Sequence, residues 1–74
     1  MSREEKNKID YMVVCVAEFA DKFSVTYKDS YNYLKKYNAL NFLIENYEIE
    51  HTLSIEDAIE DMILVSKNNG GYLI

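Results

Sequence analysis

The chain contains no proline, and its two glycines stand side by side at Gly70 and Gly71. Proline and glycine are the strongest interrupters of helices, so long unbroken stretches before Gly70 are open to helix. Seventy-four residues make one small domain. Apolar residues are 49% of the chain, above what a disordered chain carries. A domain this short buries only about 60% of the surface its unfolded chain exposes, so self-association or a partner would add to a modest stability.

Apolar spacing within those stretches predicts four helices. Over residues 3–23, apolar side chains at 9, 12, 13, 16, 20 and 23 form a helical stripe. Ser2 with Glu5 three positions on has the form of a capping box, and Glu4, Glu5 and Lys22 sit where the helix dipole favours them. Tyr11, Val14, Cys15 and Phe19 lie off the stripe, so the middle is apolar nearly all round, as in the central helix of a bundle. A second helix, 26–37, opens on Thr26 and Asp29. It turns Tyr27, Tyr31 and Leu34 inward with Tyr37 near them, and points Tyr33 elsewhere. Asn38 suits a left-handed stop.

The third helix, 39–47, faces Leu40, Leu43, Ile44 and Tyr47 inward with Phe42 on its flank, and 48–53 reads as a connection. The fourth, 54–67, opens on Ser54 and Asp57 and has the clearest amphipathic pattern. Ile55, Ala58, Ile59, Met62 and Ile63 lie on one side, and Glu56, Asp57, Glu60 and Asp61 on the other. Residues 68–74 form a tail that ends in Tyr72, Leu73 and Ile74. The expected fold is a single-domain, all-α bundle of four helices.

Charge is unevenly spread. Seven bases face six acids up to Lys36, whereas residues 37–66 hold seven acids and no Lys or Arg, in a chain of net charge −5. An acidic half repels phosphate backbones and attracts basic protein surfaces. The segments 26–37 and 39–47 could be drawn as a helix-turn-helix, but the second has no Arg or Lys to reach bases or phosphates. Nucleic acid is therefore not an expected partner. No run approaches the ~18 apolar residues that span a bilayer, no secretory pattern opens the chain, and one cysteine allows no internal disulfide. The expectation is a soluble cytoplasmic protein without membrane contact.

The residues that could carry chemistry are few. Glu48 and His51 have a Glu-x-x-His spacing, which metal sites in bundles use twice with further carboxylates. One copy per chain does not make such a site. Cys15, between Val14 and Val16, reads as a small buried hydrophobe rather than a nucleophile. No phosphate loop, cysteine pair or Ser-centred elbow occurs. No catalytic residue, cofactor or metal is expected. Seven tyrosines are more than one small core accommodates, and tyrosine is enriched at protein interfaces.

The run from Tyr33 to Tyr47 (YLKKYNALNFLIENY), with His51-Thr52-Leu53-Ser54, Glu18-Phe19-Ala20 and Lys67-Asn68-Asn69-Gly70, resembles a family of short bacterial proteins known as a domain of unknown function. The similarity extends from about Lys8 to Gly71 and rests mostly on packing residues and caps. Members of that family are often encoded beside toxin-like proteins with an ADP-ribosyltransferase fold. The resemblance implies a small accessory protein, an antitoxin or a component of a defence-related operon, and it carries over no catalytic residue.

Together these readings lead to an expected non-enzymatic protein-interaction module. Its contact residues would be Glu56, Asp57, Glu60, Asp61 and Leu64 on the last helix, with Tyr33 and Tyr47. The partner implied by the resemblance is the ADP-ribosyltransferase-like toxin, whose basic cleft the acidic surface would mask. The alternatives are a structural homodimer whose apolar excess is consumed by self-association, and a metal-binding bundle resting on Glu48 and His51.

Overall fold

In the computed structural model, which describes residues 2–71, the described chain is helical throughout its regular elements. The helices are α1 (Arg3–Phe23), α2 (Tyr27–Lys36), α3 (Ala39–Glu45), α4 (Tyr47–Glu50) and α5 (Ile55–Asn68). Three N-caps fall where the sequence places them. The side chains of Ser2, Thr26 and Ser54 accept from the backbone N–H of Glu5, Asp29 and Asp57 at 3.2, 3.0 and 3.1 Å. Each satisfies one of the donors that a helix start leaves without a partner.

The helix ends use positive φ. Asn38 stops α2 at φ 70°, as its residue type suggested. Ser24 closes α1 at φ 54°, and the N–H groups of Ser24 and Val25 donate back to the Asp21 and Ala20 carbonyls. That is a Schellman ending built on serine, where glycine is the usual choice. Gly70 supplies the same ending for α5 at φ 94°, with Gly71 N–H donating to the Ser66 carbonyl at 2.8 Å. A Cβ on Gly71 would run into the Tyr33 hydroxyl, so the glycine is needed for close approach.

Five helices stand where four were expected. The segment read as a connection, 48–53, holds all of α4 but its first residue, Tyr47, and the third helix ends two residues early. Asn46 explains both. Its side-chain amide donates to the Phe42 carbonyl at 2.9 Å, alongside its own backbone N–H at 3.0 Å. Such local bonding competes with the helix ladder, and Asn46 leaves helical geometry at φ −110°, ψ 23°. Its carbonyl then accepts from Ile49 and Glu50, which restarts the turn.

The core joins Cys15, Val16 and Phe19 of α1 to Leu34 of α2, Ala39, Leu40 and Leu43 of α3, and Ala58, Ile59 and Met62 of α5. The inward side of α5 is the predicted one. On α1 the buried face is rotated from the expected stripe: Cys15, Val16, Phe19 and Ala20 are buried, while Ile9 and Val13 are exposed. Tyr27 and Ile44, expected inward, are also exposed. Tyr33, expected to point away, packs on the core instead. One buried polar anchor ties α2 to α1, where Ser30 Oγ donates to the Val16 carbonyl at 2.9 Å. No helix among the described residues is long and apolar enough to cross a membrane. The expected tail segment Tyr72-Leu73-Ile74 lies outside the described residues.

Candidate functional site

The face of α5 turned from the core carries Glu56, Asp57 and Glu60, all exposed, with Asp61 half-buried at its edge. One turn on, Leu64 is 58% exposed although apolar. Glu60, Asp61, Ile63, Leu64 and Lys67 line a shallow groove of about 420 Å³. The ion pair found among the described residues, Lys6–Asp10 at 3.3 Å, lies elsewhere. No described base therefore pairs with these α5 carboxylates. The acidic surface continues onto α1, where Glu18, Asp21 and Lys22 line a second groove of about 300 Å³ with Glu56 and Ile59. The α1 contribution was not foreseen, because the spacing of two helices says nothing about which acids become neighbours.

The two tyrosines expected on the contact surface are engaged within the fold. Tyr33 stacks on Phe19 with ring centres 5.8 Å apart and leans on Tyr37 at 4.9 Å. Tyr47 meets Tyr11 edge-on at 5.5 Å, stacks on His51 at 4.4 Å, and has the Lys8 ammonium 6.0 Å above its ring. Two separate ring groups thus absorb much of the tyrosine excess. The same Tyr47 lines a pocket of about 200 Å³ with Lys8, Ile44, Glu45, Asn46, Glu48 and Ile49.

Glu48 and His51, the residues of the Glu-x-x-His spacing, are both exposed. His51 Nδ1–H donates to the Tyr47 carbonyl at 2.6 Å. Among the described residues, no group of three or more His, Cys, Asp and Glu side chains is arranged to hold a metal ion.

Sequence reading missed Glu50 altogether. It belongs to α4, is 2% exposed, and neither of its carboxyl oxygens meets a hydrogen-bond partner. Its backbone carbonyl is the anchor of α4, accepting from Tyr11 Oη at 2.9 Å. Burial pushes its carboxyl up to about 7, and the neighbouring Asp61 carboxyl pushes it the same way. Burial also raises Cys15 and Tyr11, which lie beside each other and feel the Glu50 charge. Cys15 is thereby held as an inert thiol, in line with its expected packing role.

The family model described as Protein of unknown function (DUF3791) matches residues 10–69. The chain belongs to this family. The DUF3791 match takes in all of α2 to α5, and therefore the acidic α5 face and the Glu50 corner. No curated protein and no solved structure matches the chain.

Proposed function

We propose that this DUF3791 protein is a small, non-catalytic interaction module that binds a basic partner protein through the outer face of α5. The observation that supports this reading is the combination of exposed Glu56, Asp57 and Glu60, without described bases to pair them, beside the exposed side chain of Leu64. Unpaired surface acids give long-range attraction and fast association, and an apolar contact beside them gives an interface an anchor that can be desolvated. Glu18 and Asp21 of α1 extend the same face. The partner class we favour is the ADP-ribosyltransferase-like toxin that the sequence resemblance implies, with the acidic face covering a basic cleft as an antitoxin does.

The test is a tagged pull-down from the native cell, with stoichiometry read by mass spectrometry of the intact complex. The expected result is one basic partner at fixed ratio, lost in the double variant Glu56→Lys/Glu60→Lys while the free domain keeps its helical circular dichroism. Equal recovery by the folded variant would overturn the assignment of this face.

A second reading, a homodimer, is favoured by Ile9 and Val13, which are one helical turn apart on α1 and 42% and 44% exposed. Sedimentation of the isolated chain separates the two readings. A dimer that Val13→Glu converts to monomer supports the homodimer, and a monomeric wild type removes it.

A further inference from the structure

Buried carboxyl oxygens without partners are rare in folded proteins, because a desolvated charge costs far more than the side chain's own packing returns. Glu50 presents two of them inside a single-turn helix. We propose that the Glu50 carboxyl keeps its proton near neutral pH, and that this proton locks α4 onto the bundle.

The groups around Glu50 all act in one direction. Tyr11 and Cys15 face it from α1 and Asp61 from α5, and each is neutral or negative. On its own helix Tyr47 is stacked on His51, the residue that follows α4. Lys67 lines a groove with Asp61, but no described base forms an ion pair with either carboxyl. Glu50 is removed from water and the Asp61 carboxyl repels a charge on it, so the protonated form of Glu50 is favoured. Burial raises the Glu50 carboxyl to about 7, which agrees with that arrangement.

α4 has four residues, too few to persist by themselves. It is fixed by the Tyr11–Glu50 carbonyl bond, by the Tyr47 ring on Tyr11, and by the burial of Glu50 itself. Loss of the proton makes burial of Glu50 unfavourable. Its side chain then turns to water, and the turn it belongs to loosens. The lock is independent of the partner assigned above and needs no partner to be tested.

The experiment is a carbon-detected NMR titration of the side-chain carboxyls from pH 4 to 9, with amide exchange of Glu50, His51, Thr52 and Leu53 followed alongside. The Glu50 signal is expected to titrate about two pH units above the ordinary glutamate value of 4.5. Protection factors of the four amides should fall at least tenfold between pH 5.5 and 8.5. In Glu50→Gln that fall disappears, whereas His51→Gln keeps it. In Asp61→Asn the Glu50 midpoint moves down toward the ordinary range. A Glu50 midpoint at the ordinary value of 4.5, or protection that stays constant across the titration in the wild type, overturns the proposal without recourse to any variant.

Discussion

Ser30 and Glu50 are both polar and both almost completely removed from water, yet they sit in opposite kinds of surroundings. The Ser30 hydroxyl has a partner, the Val16 carbonyl, and lies in the closely packed seam between α1 and α2. The Glu50 carboxyl has none and lies where a one-turn helix meets α1 and α5. The seam is a region where every buried group is accounted for, so it fixes the fold. The α4 corner carries an unfavourable term that depends on protonation, so it can respond to conditions. Stability in this small domain is therefore distributed unevenly, and the less stable part adjoins the acidic face.

Three variants sharpen this contrast, and chemical denaturation checks each of them. Leu34→Ala removes a fully buried side chain from the seam and should cost about 3 kcal/mol at every pH, since a cavity there cannot collapse without moving three helices. A cost below ~1 kcal/mol would show the seam to be loosely packed. Glu50→Gln should stabilise the protein at pH 8 by about 2 kcal/mol and have almost no effect at pH 4.5. The folded-state carboxyl is raised above its usual value of 4.5 to about 7, so the native state binds more protons than the unfolded chain between those values. Stability from that group is full below the unfolded value and declines as pH rises through the folded one. Ser30→Ala should cost only about 1 kcal/mol and show no pH dependence, because it loses one neutral hydrogen bond while the Val16 carbonyl stays within α1.

The parts of this molecule that were legible in its sequence are those decided locally. Ser2, Thr26 and Ser54 cap because an oxygen two bonds from the backbone reaches the N–H three residues on, whatever the rest of the chain does. α5 was readable because its apolar and acidic residues divide cleanly between two sides. α1 misled because it is apolar nearly all round. Periodicity alone could not choose between a stripe through Ile9 and Val13 and the one through Cys15 and Phe19 that α2 and α5 cover.

Tyr33 was misplaced for a related reason, since its partners Phe19 and Gly71 are remote in sequence. Glu50 is the most instructive miss. A glutamate in an acidic connecting segment reads as solvated, and its burial arises from Tyr11, thirty-nine positions earlier, and Asp61, neither of which its neighbours reveal. Of the candidate contact surface, the acids and Leu64 of α5 were visible in advance. The addition of Glu18 and Asp21 from α1 was not.

The most direct test of the uneven stability described here is the unfolding free energy of the wild-type chain and Glu50→Gln, measured side by side at intervals from pH 5 to pH 8. The structure predicts that the wild type loses about 2 kcal/mol across this range relative to the variant, with the steepest change midway between 4.5 and about 7 and a levelling-off above 7. Two curves that run parallel from pH 5 to pH 8 would contradict it, and would mean that Glu50 is as well solvated as the acids on the outer face of α5.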